Sequence, residues 1–260
     1  MDNIKLIKKI RRTTGLGVIT CKKALKKYKG NIKLAINYLL TTHKIKSIDK
    51  VQKEGIIKIK VAKKKVVILQ ISCETDFVSN DINFIRFVNK VANKCLYTNK
   101  IASKILFKDK IEIDRTILRT KLKENITVRN LLLINLNEYK TNTIGFYNHN
   151  NRIGSLVIIN HCILQIAKDI AMQIIATNPT VIYINDFTNE EIKKEKAYII
   201  SKIKNKTLNI INKIIKTKIQ QYLNENSLLN QVFIKDNTMK VSNCLSHNSK
   251  ILIFFRFEFK

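Results

Sequence analysis

The chain lacks the motifs that most readily reveal an enzyme. Its 260 residues contain no GxxxxGKS/T loop, no GxSxG elbow and no GxGxxG turn. Cys73 and Glu74 are the only adjacent residues that look reactive. Neighbours on a strand point to opposite faces, so they would make a poor catalytic pair. We therefore expect no catalytic residues and a protein that is not an enzyme.

Cysteine and histidine are few and scattered. The five cysteines are isolated and odd in number, which favours a reducing compartment over a disulfide-bonded exterior. Neither they nor the four histidines show a CxxC or His-x-x-x-His spacing that would chelate zinc. The sequence therefore predicts no metal site and no cofactor.

Long apolar runs are also missing. No run reaches the ~18 residues that a membrane-spanning helix requires. Residues 1–12 interleave Lys with Ile and Leu, which differs from the apolar centre of a secretory signal. A helical pattern that starts almost at Met1 disfavours an organelle transit peptide. With 45% hydrophobic and 26% charged residues, the chain is typical of a globular protein with a sizeable core and no membrane partner.

Acidic residues are scarce, since 19 Asp and Glu face 49 Lys and Arg and leave a net charge of +30. Such a charge suggests a nucleic-acid partner. However, the chain is also rich in Asn and Ile, and it holds one Pro, six Gly and no Trp, a composition that AT-rich codons alone would produce. The lysines are spread along every segment, which is typical of a solvated surface. The sequence favours codon bias, leaves RNA contact open, and predicts weak non-specific attraction to polyanions.

Helical periodicity dominates residues 1–45 and predicts three short helices. Leu6, Ile7 and Ile10 share one face of the first helix, which stops near Gly15. The second helix runs to Tyr28, and Asn31 caps the third. A polar connector follows, so we predict a three-helix domain at residues 1–45 and a linker at residues 46–54.

A period of two then predicts the strands of a first core subdomain at residues 55–139. Ile57, Ile59 and Val61 alternate with lysines, and a lysine-rich bend leads to a second strand. A helix follows near Asp81, with four residues on its inner face: Phe84, Phe87, Val88 and Val91. A helical segment at residues 97–123 and a strand at residues 126–135 complete this subdomain.

The pattern in residues 140–260 predicts a second core subdomain with the same strand–strand–helix order. A hairpin turns around residues 148–152, and the next helix ends before Asn178-Pro179. Thr188 and Glu191 form a capping box for a long helix, and two apolar-striped helices predict a coiled-coil hairpin at about residues 188–222. Residues 251–259 predict a closing strand with one strongly apolar face. The expected fold class is α+β: a three-helix module, then two antiparallel-sheet-plus-helix subdomains with an inserted helical hairpin.

The junction between the second strand and the following helix, residues 73–81, is the most informative stretch. Phe77 stands beside Asp76 on a connection, and connections normally lie on the surface. Phe77 is therefore a candidate exposed apolar wedge next to a negative charge. The alternative is an ordinary core residue at a strand end, because most large aromatic residues are buried.

Several strings, taken in order, resemble the translation elongation factor Ts family. The N-terminal resemblance rests on residues 12–17, on Cys21-Lys22-Lys23-Ala24-Leu25 and on Gly30-Asn31, and it looks like that family's ubiquitin-associated-type (UBA-like) helical domain. The core resemblance rests on Thr75-Asp76-Phe77-Val78, Glu124-Asn125-Ile126, residues 147–154, Ala171-Met172, residues 225–233 and Arg256-Phe257-Glu258. Each string is weak alone, but their joint order covers nearly the whole chain.

This resemblance implies a guanine-nucleotide exchange factor for elongation factor Tu, bound in its GDP and nucleotide-free states, with no specific nucleic acid as partner. It implies that Asp76 and Phe77, within Thr75 to Val78, push into the partner beside its magnesium and phosphate-binding elements. It further implies that Arg11, Val18 and Ile19 grip the partner's nucleotide domain. For Val18 and Ile19, packing in the core of the three-helix module is an open alternative. The implied location is a cytoplasm of bacterial type, and an organelle-encoded origin stays open.

The chain also departs from the family pattern at several positions. Thr20 stands where Asp is common, Val232 where Pro is usual, and Asp169 and Gln173 where His is usual. Asn205-Lys206-Thr207 replaces a typical Gly-Lys-Pro turn in the helical hairpin. The alternative function, suggested by the net charge, is a basic RNA- or ribosome-binding protein, although no RNP-type strand, KH-type loop or arginine cluster is present.

Overall fold

The structure is a computed structural model that describes residues 3–42, 52–62, 65–97, 110–139, 142–203 and 208–259. Within these ranges the fold class predicted from the sequence is confirmed: N-terminal helices precede antiparallel sheets that pack against helices. The predicted turn at residues 205–207 and most of the predicted linker lie outside the described residues. None of the described helices combines the length and the apolar character needed to cross a membrane.

Three helices form the N-terminal module: α1 (Asn3–Thr14), α2 (Val18–Lys27) and α3 (Ile32–Thr42). The Asn31 side chain accepts a hydrogen bond from the Leu34 amide at 3.2 Å, as a helix-capping residue does. Six buried side chains make the module's core: Ile10, Cys21, Ala24, Leu25, Ala35 and Leu39. The likeness of this module to a ubiquitin-associated domain stays a prediction.

The first sheet has three antiparallel strands in the order β1-β2-β3. They are β1 (Glu54–Ala62), β2 (Lys65–Cys73) and β3 (Thr127–Asn135). The central strand β2 is buried from Val66 to Cys73, because it is paired on both edges and covered on its face. Its first part, Val66 to Leu69, is a continuous apolar run, as expected for a strand buried on both faces, and the polar Gln70 and Ser72 are buried as well.

Among the described residues, three helices accompany this sheet: α4 (Asp76–Ser79), α5 (Ile82–Tyr97) and α6 (Lys110–Leu122). The four apolar residues predicted for the inner face of α5 are all buried against β2. The single helical turn α4 differs from the sequence-based expectation of a simple connection, and it carries residues 76–79 as a compact unit.

The second sheet has the order β4-β5-β8, where β8 is the last strand (Lys250–Glu258), and it repeats the strand–strand–helix arrangement. Strands β4 (Asn142–His149) and β5 (Ile153–Asn160) lead to helix α7 (Leu164–Thr177). Gly145 of β4 lies directly under this helix, since a Cβ atom placed there would be 2.0 Å from the Ala167 carbonyl oxygen. Asn178 ends α7 in a left-handed conformation, one residue before Pro179.

Two long helices follow, α8 (Asn189–Lys202) and α9 (Leu208–Asn226). The predicted capping box is present, because Thr188 accepts from the Glu191 amide and Glu191 accepts from the Thr188 amide. Phe187, just before α8, contacts Tyr222 in the second half of α9 at a ring separation of 5.7 Å. The two helices therefore run antiparallel.

The C-terminal segment contains elements that the sequence patterns did not predict. A short ribbon joins β6 (Val232–Phe233) to β7 (Asp236–Lys240), and a single turn, α10 (Val241–Cys244), follows it. The last strand is β8 (Lys250–Glu258). Its expected apolar face is covered only in part, since Ile251 is buried while Ile253, Phe255 and Phe257 are half-buried.

Residue packing divides the chain into two compact units. The first comprises residues 1–137, 150–152 and 258–260, and the second comprises residues 138–149 and 153–257. The domain boundaries predicted at residues 45, 54 and 139 stay predictions. The N-terminal module belongs to the first unit, because α1 and α3 both contact α6.

Candidate partner-binding site

The junction after β2 is a tightly hydrogen-bonded helical turn. Thr75 is its N-cap and accepts a hydrogen bond from the Val78 amide. The Asp76 carboxylate accepts from the Phe77 amide at 3.0 Å, while Ser79 Oγ and Asn80 Nδ2 donate to the Asp76 carbonyl at 2.8 and 2.9 Å. These bonds satisfy the Phe77 and Val78 amides and the Asp76 carbonyl, in a turn too short to stabilise itself.

Phe77 and Val78 are neighbours with opposite environments. Phe77 is 84% exposed, whereas Val78 is 7% exposed and packs in the core cluster with Cys73 and Phe84. Successive residues of a helical turn point about 100° apart, so anchoring Val78 inward directs Phe77 outward. The core alternative for Phe77 is therefore wrong in this structure. The partner contact predicted for Val78 stays a prediction, and here its side chain is a core residue.

Glu124 supports this turn from the segment between α6 and β3. Its Oε2 accepts from the amides of Glu74 and Thr75 at 3.0 and 3.1 Å, and its Oε1 accepts from Thr75 Oγ1 at 2.6 Å. In return, Glu74 Oε1 accepts from the Asn125 amide at 3.0 Å. Sequence patterns could not reveal this support, because the contact joins residues about 50 positions apart. The only signal was the position of Glu124-Asn125 in the family resemblance.

Cys73 lies directly before the turn, and its thiol is unreactive. Its thiol donates to the Thr75 carbonyl at 3.2 Å. Burial, followed by the negative charges of Glu124 and Glu54, raises the pKa of the Cys73 thiol to about 12. Because a thiol is reactive as its thiolate, Cys73 is a structural residue rather than a nucleophile near neutral pH.

The predicted N-terminal contact residues are exposed. Arg11 lies on the surface of α1, and Val18 and Ile19, at the start of α2, are 48% and 73% exposed. They are therefore not core residues of the module. Gly15, between the two helices, has φ +73° and lies against α6, since a Cβ atom there would be 3.1 Å from the Lys121 Cα. The turn that displays Val18 and Ile19 is thus packed on the first core subdomain.

A polar network in the second unit fixes the β6–β7 ribbon. Gln173 of α7 donates to Gln231 Oε1 and to the Val232 carbonyl, both at 3.1 Å, and accepts from the Ile234 amide at 2.8 Å. Asp169, one turn earlier, accepts from Lys235 Nζ at 2.6 Å. The residues that depart from the family pattern at positions 169, 173 and 232 therefore meet in one place. The sequence alone did not indicate this.

The described residues offer no group of three or more His, Cys, Asp or Glu side chains arranged to hold a metal ion. The Asp76-Phe77 turn presents an aromatic ring, a carboxylate beside it and a hydrogen-bonded support. Such an arrangement can insert into a partner or exclude water from a contact.

Comparison with known proteins gives one consistent result. A family model described as Elongation factor TS matches residues 74–260, a span that includes the Thr75 to Val78 turn. The Elongation factor Ts of Saccharophagus degradans is 36% identical over 262 residues, which covers 97% of this chain and 89% of the relative. The Elongation factor Ts of Vesicomyosocius okutanii is 36% identical, with 97% and 91% covered. The protein of the same name from Coxiella burnetii is 32% identical, with 97% and 90% covered. The chain therefore belongs to the elongation factor Ts family.

Proposed function

We propose that this protein is a guanine-nucleotide exchange factor that acts on elongation factor Tu during translation elongation. Membership of the elongation factor Ts family supports this role. The single structural observation that carries the proposal is Phe77, which is 84% exposed beside Asp76 on a hydrogen-bonded helical turn. Covering a large apolar ring that is exposed to water lowers the free energy of the complex.

The proposed mechanism is mechanical. Phe77 inserts between packed elements of the partner's nucleotide domain, and the Asp76 carboxylate comes close to its magnesium site. The resulting conformation holds magnesium and GDP poorly, so the factor binds the nucleotide-free partner best and GDP leaves. By linkage, GDP must weaken the factor's binding to the same extent.

Arg11, Val18 and Ile19 form the second proposed contact, which we call the N-terminal patch. The exposed Val18 and Ile19 supply apolar area, and Arg11 supplies a charge. This patch contributes affinity in all nucleotide states of the partner. Binding of that kind raises occupancy of the complex, whereas the Asp76-Phe77 pair distinguishes the nucleotide-free state from the others.

The first prediction compares two exposed aromatic residues. Phe77→Ala should slow release of fluorescent GDP from elongation factor Tu at least about tenfold, since burying a Phe ring contributes about 1.5–3 kcal/mol. Tyr97→Ala is the matched control, because Tyr97 is 86% exposed, lies in the same unit and has no proposed contact. GDP release at sub-saturating factor measures both variants.

Thermal melting of the two variants completes this test. Both variants should have the same melting temperature as the wild-type protein, because neither ring is buried. A wild-type protein that leaves GDP release unchanged would refute the exchange function. Equal rates for the two variants would refute the role of Phe77.

A further inference from the structure

We propose that Glu124 is a positioning residue for nucleotide exchange, which holds the Asp76-Phe77 pair in the conformation that the partner meets. This inference rests on the proposed function and adds a residue to it. Glu124 lies outside the turn, on the segment between α6 and β3, and acts through the backbone of Glu74 and Thr75.

The backbone just after β2 needs such a support. The pairing of β2 with β1 ends at Cys73, and its pairing with β3 ends at Ser72. The amides of Glu74 and Thr75 have therefore left the sheet, and both donate to one oxygen of Glu124. Bonds from amides to a carboxylate are charge-assisted and stronger than those between neutral groups. One side chain thus fixes the direction in which the chain leaves the strand.

The second oxygen of Glu124 connects the support to the helical turn itself. Thr75 Oγ1 donates to it at 2.6 Å and also accepts from the Val78 amide. The Thr75 hydroxyl therefore links Glu124 to the first turn of α4. A change at Glu124 therefore reaches the backbone of Val78, the residue next to Phe77, through two hydrogen bonds.

The residues on either side of Glu124 have a defined backbone conformation or hydrogen-bond partners. Lys123 adopts a left-handed conformation, φ +58°, where the chain leaves α6. The next residue, Asn125, donates its amide to Glu74 and accepts from the Arg119 guanidinium of α6. Burial, followed by the charge of Arg115, lowers the pKa of Arg119, while Glu112 and Glu74 oppose that shift. Glu74, at the base of the turn, thus interacts electrostatically with the Arg119 guanidinium.

The physical effect is preorganisation. A loop that must be ordered on binding costs free energy at that moment, whereas a turn already fixed in the free protein does not. Loss of Glu124 should leave Phe77 able to reach the partner but spread over several directions. Exchange would then fall although no contact atom has been removed.

The first experiment measures the free protein. Glu124→Ala should abolish the hydrogen-exchange protection of the Glu74 and Thr75 amides, and Glu124→Gln should keep most of it. The Gln amide oxygen can accept from both backbone amides, and its NH₂ group can donate to the Thr75 hydroxyl. Unchanged protection in Glu124→Ala would overturn the proposal. If Glu124→Ala does not fold, Thr75→Val tests the link between Glu124 and the helical turn, because it replaces the hydroxyl that bonds both Glu124 and the Val78 amide with a methyl group.

The second experiment measures release of fluorescent GDP from elongation factor Tu. Glu124→Ala should reduce the efficiency of exchange about tenfold, while Glu124→Gln stays within about threefold of the wild-type protein. Glu191→Ala is the matched control, because Glu191 also accepts from the amide and hydroxyl of a threonine, Thr188, but in the other compact unit. It should exchange at the wild-type rate.

A double-mutant cycle separates positioning from general loss of structure. If Glu124 acts by presenting Phe77, Glu124→Ala should add little in a Phe77→Ala background. Fully additive effects, or a wild-type rate for Glu124→Ala, would overturn the proposal while leaving the exchange function in place. A wild-type protein that does not accelerate GDP release would refute the exchange function itself, and the positioning role with it.

Discussion

At the scale of single residues, Phe77 and Val78 have different roles: we assign binding to Phe77 and stability of the fold to Val78. Val78 is buried among core residues of the first subdomain, and its neighbour is almost fully in water. A second prediction from this pair is that Val78→Ala lowers the free energy of unfolding by about 1.5–3 kcal/mol, whereas Phe77→Ala leaves it unchanged. Chemical denaturation of both variants measures the difference. Equal losses would mean that the Phe77 ring is packed in solution.

The same residues show what a sequence can reveal at this scale. A helix face such as Phe84, Phe87, Val88 and Val91 was predictable, because its spacing repeats over several turns. The direction of Phe77 was not, since one helical turn contains no repeat to interpret. The role of Glu124 could not be predicted for a different reason. Its partners are distant in sequence, and a single Glu near a helix end has no local signature.

At the scale of elements, the contact between β4 and α7 depends on a missing side chain. A Cβ atom at Gly145 would lie 2.0 Å from the Ala167 carbonyl oxygen, a backbone atom that cannot turn aside. Gly145→Ala should therefore force the helix away from the sheet and lower the free energy of unfolding by about 3 kcal/mol or more. Denaturant titration measures this loss.

The control for that prediction is another glycine. A Cβ atom at Gly17 meets nothing within 4 Å, and its φ of −61° suits any residue. Gly17→Ala should stay within about 1 kcal/mol of the wild-type protein. An unchanged midpoint for Gly145→Ala would contradict the close packing of β4 against α7.

Long elements were predictable and short ones were not. The apolar stripes of α8 and α9 extend over many residues, so their signals accumulate, and the Thr188–Glu191 capping box marks where the first of these helices begins. The ribbon of β6 and β7 is too short to show a period of two. It is stabilised instead by Gln173, which donates to the Val232 carbonyl and accepts from the Ile234 amide, and such partners cannot be inferred from spacing.

At the scale of the whole molecule, the net charge of +30 leads us to predict how binding to RNA depends on salt. Attraction to RNA should be non-specific, because the charge is spread along the chain, and it should weaken steeply between about 50 and 200 mM salt. Binding to elongation factor Tu, based on apolar and shaped contacts, should survive that range. Fluorescence anisotropy with a labelled single-stranded RNA and with the protein partner measures both. RNA binding that persists at about 200 mM salt would favour the RNA-binding alternative.

The close packing of Gly15 on Lys121 has a further consequence for association. Because α1 and α3 also contact α6, the N-terminal patch and the Asp76-Phe77 turn are carried by one compact body rather than by two domains on a tether. Once a partner touches either surface, the other is offered at a high effective concentration set by the fold. Two individually weak contacts can then act as one strong contact. If the partner changes conformation at one of them, the affinity gained from having both contacts is lost.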